Sequence, residues 1–170
     1  MNRRLLTLAV TGYFVLCAAG LAGLAAWWKT HWEAPVQPVF FKHDLHVQKV
    51  GLDCRHCHTT TAFSRHAGVP ALEVCMKCHE SAVTDRPEVR KLTAGWRAAK
   101  PLPWVRVHEN PWHVYFSHKR HVRRGLDCTN CHGEVKAMER LRQVRSLSMG
   151  WCLNCHRLYR APTDCWTCHK

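Results

Sequence analysis

The chain has 170 residues, with 25 Lys and Arg against 12 Asp and Glu for a formal net charge of +13, and it holds 11 cysteines. No nucleophile–base arrangement, phosphate-cradling loop or carboxylate constellation accompanies that charge, so hydrolytic and phosphoryl-transfer chemistry lack their machinery.

Asn2-Arg3-Arg4 precedes an apolar run from Leu5 to about Trp28, interrupted only by Thr7, Thr11, Tyr13 and small residues. At about 1.5 Å per helical residue such a run crosses a bilayer core of roughly 30 Å, and it exceeds the roughly 7–15 apolar residues of a secretory signal core. Arg3 and Arg4 favour a cytoplasmic N-terminus, while Trp27, Trp28 and Trp32, with Lys29 among them, suit the far interface. Residues 1–32 therefore read as a single-pass anchor in the cell inner membrane, with residues 33–170 on the periplasmic side. Cleavage near Ala22–Ala26 is the alternative. Cys17 follows Leu16, a poor lipoprotein cleavage context, and reads as a small apolar filler.

Beyond the anchor the chain is duplicated. Val39-Phe40-Phe41-Lys42-His43-Asp44-Leu45-His46-Val47 is matched by Val114-Tyr115-Phe116-Ser117-His118-Lys119-Arg120-His121-Val122. Each copy leads into Gly-Leu-Asp-Cys-x-x-Cys-His, at Gly51–His58 and Gly125–His132, and then into a second Cys-x-x-Cys-His, at Cys75–His79 and Cys152–His156. A fifth such motif, Cys165–His169, closes the chain. The expected organisation is repeat one at about 39–81, a connector at about 82–112, repeat two at about 113–156, and the last motif within 157–170. The connector carries Pro87, Pro101, Pro103 and Pro111 and reads as extended rather than helical. Its Trp96, Trp104 and Trp112 read as packing residues, or as a docking surface if exposed in a row. Glu134–Val144 is the strongest helix signal.

Cys-x-x-Cys-His is the attachment signature of c-type haem: two sulfurs bond the vinyl groups along one porphyrin edge, and the adjacent histidine folds beneath the iron. Ten of the 11 cysteines are used this way. Structural zinc wants four ligands assembled from two pairs, and five pairs fit it badly. A disulfide framework is the other alternative. The cofactors expected are thus five covalently attached c-type haems, on Cys54/Cys57, Cys75/Cys78, Cys128/Cys131, Cys152/Cys155 and Cys165/Cys168, with His58, His79, His132, His156 and His169 as proximal ligands. About 140 residues, fewer than about 30 per haem, cannot build a conventional core around each. The haems themselves must be the core, under a mostly irregular chain with short α-helices.

Each iron has a second axial position. His31 at the membrane edge and His56 inside an attachment loop are poor candidates. In Phe-x-His-x-x-His the two imidazoles share a helical turn and cannot both bind one iron, but they can serve two neighbouring haems. That makes His43, His46, His118 and His121 the expected distal ligands. His66 is the first choice for the fifth, with His108, His113, Met138 and Met149 as alternatives; methionine would raise that haem's potential.

The Phe-x-His-x-x-His and Cys-x-x-Cys-His series resembles the class III multihaem cytochromes c. Four segments are similar to the pentahaem subunit of alternative complex III. They are His66-Ala67-Gly68-Val69-Pro70 before Cys75-Met76-Lys77-Cys78-His79, His108-Glu109-Asn110-Pro111-Trp112-His113-Val114-Tyr115-Phe116-Ser117-His118, Ser148-Met149-Gly150-Trp151-Cys152, and Ala161-Pro162-Thr163-Asp164-Cys165. The likeness covers nearly everything after the anchor. It implies a class III-like multihaem fold on one transmembrane helix. Its partners would be an iron–sulfur subunit related to molybdopterin enzymes and quinol-binding membrane subunits, with a monohaem cytochrome c or an oxidase as acceptor. Related assemblies use similar cytochromes with other redox modules.

The expected role is electron relay rather than catalysis, because the histidines suffice to close every iron. A self-sufficient membrane-anchored quinol dehydrogenase is the alternative, and a periplasmic reductase of a small oxyanion is a third. The periplasmic setting leaves no place for nucleic acid. The positive charge, partly offset by haem propionates, would steer the protein to an acidic partner or anionic lipid, with Lys119–Arg124 and Arg140–Arg145 as candidate contacts. Asp53 and Asp127 read as caps on backbone amides.

Overall fold

The computed structural model describes residues 2–32 and 34–170, excluding the side chains of residues 30–32. The expectations placed on His31 and on the Trp32 side chain lie outside the described residues. The chain divides into two units, residues 1–33 and residues 34–170. In the first, helix α1 (Arg3–Trp32) contains a 27-residue stretch, Arg3–Lys29, of mean hydropathy 2.0. It is long and apolar enough to cross a membrane, as an anchor or as a signal sequence.

The second unit is mostly irregular, with short helices and, among the described residues, no strand. It opens into a π-helical turn at Leu45–Lys49, then α2 (Cys54–Cys57), α3 (Leu72–His79) and α4 (Pro87–Arg97). The second half holds α5 (His118–Arg123), α6 (Thr129–His132), a 3₁₀ turn at Val135–Ala137, α7 (Met149–Leu158) and α8 (Cys165–Cys168). Gly51 and Gly125, the repeated glycines, sit at φ +83° and +76°. This left-handed turn, which other residues adopt only at a cost, aims each Asp-Cys pair into its helix.

Two expectations about this unit fail. The connector is not extended throughout, because α4 occupies its first half. Pro87 lies in the first turn, where a missing N–H costs nothing, so the proline starts a helix instead of breaking one. Conversely, Glu134–Val144 yields only the Val135–Ala137 turn. Gly133 at φ +70° re-aims the chain just before it, and Val144 packs back towards Gly133.

The buried apolar side chains among the described residues are Val39, Met76, Val89 and Leu92. Three of them, Val39, Met76 and Leu92, form one cluster beside Leu72, Cys75, Leu102 and Trp104, where α4 packs on α3. Trp104 is thus a packing residue, while Trp112 is 91 % exposed. The rest of the unit has no polypeptide core of its own, as expected of a coat around flat apolar cofactors.

Candidate haem-binding centres

All five attachment motifs lie on helical turns: α2, the end of α3, α6 with Cys128 as its cap, the middle of α7, and α8. A helical turn brings residues three apart onto one side, which is what paired thioethers on one macrocycle edge need. Capping fixes where the turns begin. Asp53 accepts from the Arg55 N–H at 2.9 Å, Asp127 from the Thr129 N–H at 2.8 Å, and Asp164 from the Thr167 N–H at 3.0 Å. The capping role expected of Asp53 and Asp127 holds, and Asp164 extends it to the last motif. All 11 cysteines carry free thiols. Burial pushes the thiols of Cys57, Cys75, Cys128, Cys131 and Cys152 up from their ordinary range.

The imidazoles are held in one tautomer. Among motif histidines, Nδ1–H donates to a backbone carbonyl in His58 (Gly68 O, 2.8 Å), His79 (Ala82 O, 3.1 Å), His156 (Pro162 O, 2.6 Å) and His169 (His113 O, 3.2 Å). His46, His118 and His121 do the same, to Lys42, Arg65 and Ser117. With the proton on Nδ1, the Nε2 lone pair is free for a metal, the arrangement that orients ligating histidines generally. His43 keeps Nδ1 buried without a partner, and His108 does so with Nε2. Burial lowers His43 and His132 to about 4, so both rings are neutral at physiological pH.

The rings come in facing pairs. An imidazole nitrogen sits about 2.0 Å from a bound metal ion, so two imidazoles sharing one ion put their centroids on the order of 6 Å apart. His46 and His79 are 6.2 Å apart, His121 and His156 6.0 Å, and His118 and His132 6.2 Å. The repeats correspond: His46 is to His79 as His121 is to His156. By the same correspondence His43 belongs with His58, the neighbouring charge that adds most to the lowering of His43 after burial. His113 stacks on His169 at 5.4 Å. His108 lies 4.5 Å from His132, edge to face and too close to share an ion with it.

Other expected residues fall elsewhere. His66 and His56 are exposed, and His66 makes no described ring contact. Met149 is 64 % exposed at the start of α7. Part of the basic surface is structural, since Arg123 donates to the Ala62 carbonyl and Arg140 lies over the Phe40 ring. One functional residue escaped the sequence reading. The aromatic of Phe-x-His-x-x-His touches both of its histidines: Phe41 meets His43 and His46 at 4.9 and 4.3 Å, and Phe116 meets His118 and His121 at 4.9 and 4.5 Å. Its fixed spacing in both repeats was the available signal. A cavity of about 670 Å³ also opens beside α3 and α4, lined by His79, Glu80, Arg90, Trp96 and Arg97 among others.

These donors fit haem. Among the described residues no three His, Cys, Asp or Glu side chains converge as a zinc site requires. They converge in twos, across a gap, next to paired thiols, which suits an iron whose other four ligands come from a macrocycle. Fold and donors together define a multihaem c-type cytochrome. The chain belongs to the family of cytochrome c7 and related cytochromes c, whose pattern it matches twice, over residues 39–95 and 114–170. The two matches begin at or beside the two Phe-x-His-x-x-His repeats. The chain is also 25 % identical over 161 residues, 79 % of its length and 77 % of the other's, to the menaquinone reductase multiheme cytochrome c subunit of Nitratidesulfovibrio vulgaris.

Proposed function

We propose that the protein is the five-haem electron-relay subunit of a membrane-bound quinone oxidoreductase, carried by α1 in the inner membrane with its haem unit in the periplasm. The observation that carries this reading is the pairing of imidazoles beside the attachment thiols. His43 with His58, His46 with His79, His118 with His132, His121 with His156 and His113 with His169 would hold five haems. His113 takes the place first given to His66. Each bound haem supplies an iron that alternates between ferric and ferrous. The protein's own groups do the rest. Cysteines fix each macrocycle edge, carbonyl-anchored imidazoles close both axial positions against substrate, and Phe41 and Phe116 space the distal rings.

All five proposed pairs are imidazole–imidazole. Axial ligation moves haem potentials over about 0.8 V, with methionine raising them, so these pairs keep the haems towards the low end. That suits exchange with a low-potential quinone and agrees with the relative's name. The quinone site and an iron–sulfur or molybdopterin-like subunit would belong to partner subunits, with a periplasmic cytochrome or oxidase at the other end.

Anaerobic mixing of the isolated subunit with reduced menaquinol in detergent tests this reading through the haem absorption bands. The expected result is no rapid reduction by quinol while dithionite reduces every haem. Rapid reduction that a quinol-site inhibitor blocks would instead make the protein a quinol dehydrogenase in its own right.

A further inference from the structure

We infer that the attachment sites do not follow one another in space as in sequence, but run in the order second, first, third, fourth, fifth about a local two-fold axis between the repeats. This rests on the five-haem reading and goes beyond it. The decisive contact is between equivalent residues. Cys54 and Cys128, the first cysteines of the two Gly-Leu-Asp-Cys motifs, have their thiols within hydrogen-bonding reach of each other. His58 and His132, the proximal histidines of the same motifs, also act on one another. A residue meets its own equivalent only where a two-fold axis passes between them, since translation along a chain of repeats would bring unlike residues together.

Backbone contacts place the repeats independently. Helix α5 of repeat two docks on the loop after the first motif: His118 N–H donates to Arg65 O at 3.1 Å, Lys119 N–H to Ser64 O at 3.0 Å, and Arg123 Nε to Ala62 O at 3.1 Å. The distal helix of the third site is therefore fastened to the loop of the first. From this joint the line extends both ways. Towards the N-terminal half, Cys75 of the second motif neighbours Cys57 of the first. Towards the C-terminal half, Cys131 neighbours Cys152 and Cys155, and Cys152 neighbours Cys168. The last motif is tied in by Tyr115 N–H donating to Cys168 O at 2.8 Å. A duplication joined head to head puts the second and fourth sites on its outer flanks, and the extra fifth site lengthens one flank. The relay then has two unlike ends, Cys75–His79 beside α4 and Cys165–His169 at the C-terminus.

The test is the iron positions in the full-length holoprotein, located by anomalous scattering at the iron edge and assigned to motifs through the thioether links. The expected result has the first and third irons as central neighbours, the second and fifth farthest apart, and a two-fold rotation superposing the second–first pair on the fourth–third pair. A second iron lying between the first and third, or a sequential run from first to fifth, overturns the inference. An iron missing from one motif would count against the five-haem reading, while the order would still be read from the irons present.

Discussion

His46 and His79 face each other with ring centroids 6.2 Å apart, and one repeat later His121 and His156 do so at 6.0 Å. In each pair one imidazole is fixed by a carbonyl within its own helical turn, Lys42 for His46 and Ser117 for His121. The lone pairs are thus aimed before any metal arrives, and little reorganisation is needed on ligation. Replacing His46 or His121 by alanine should convert one haem in five from six-coordinate low-spin to high-spin. Electron paramagnetic resonance of the oxidised protein reads this directly. If either variant kept every haem low-spin, that pairing would be wrong.

The fifth pair separates two histidines that sequence alone ranked in the other order. His113 stacks on His169 at 5.4 Å and lends it a carbonyl at 3.2 Å, while His66 is exposed. We expect His113→Ala to create a high-spin haem and His66→Ala to leave all of them low-spin. The opposite result would restore His66 as the ligand.

The attachment residues and the four Phe-x-His-x-x-His histidines were legible because both follow from local spacing. A Cys-x-x-Cys-His turn and a three-residue histidine interval mean the same thing wherever the chain goes next. His113 was not legible, because its partner His169 lies at the far end of the chain and only the tertiary path brings them together. Helix α4 was misread because proline frequency outweighed position: Pro87 begins a helix that Val89 and Leu92 then hold against α3. The opposite error at Glu134–Val144 has a related cause. Good helix formers there lost to Gly133, whose backbone angle turns the chain away.

Glu88 ties the first strand-like segment of the haem unit to α4. Its carboxylate accepts from the Phe40 N–H at 2.7 Å and from Lys91 Nζ at 2.7 Å. The Lys91 bond, with help from Phe40, holds its pKa below the ordinary 4.5. A carboxyl depressed on folding contributes stability in full above its unfolded pKa and loses it as pH falls through the folded value. Thermal unfolding of Glu88→Gln should therefore lie below that of the parent at pH 7, and the gap should close below about pH 4. A gap independent of pH would mean that glutamine disturbs packing instead.

Gly133 follows His132 at φ +70°, and a Cβ there would lie 2.5 Å from Val144 Cγ2. Gly51, at φ +83°, has nothing within 4 Å of the same atom. Both alanine variants bear the left-handed backbone cost, about 1 kcal/mol, but only Gly133→Ala adds a collision with a stiff β-branched side chain. We expect Gly133→Ala to lose about 2–3 kcal/mol and Gly51→Ala about 1 kcal/mol. Trimming Val144 to alanine beside Gly133→Ala should recover part of the steric share. Equal losses at the two glycines would remove the role given to Val144.

Arg90 and Arg97 stand seven residues apart on α4, so two helical turns bring them to the same face, and both line the cavity that His79 enters. Positive charge near an iron disfavours the ferric state, which carries one more positive charge than the ferrous. Removing it must therefore lower the potential of the haem on Cys75 and Cys78. Glu80 in the same cavity works against the arginines, so Glu80→Gln should move the potential the other way. Because the cavity is open to solvent, screening limits each change to on the order of tens of millivolts. Spectroelectrochemical titration of Arg97→Gln and Glu80→Gln should show one haem shifting down and up respectively, with the other four unmoved. Shifts of the same sign in both variants would mean that the substitutions act through packing of α4 rather than through charge.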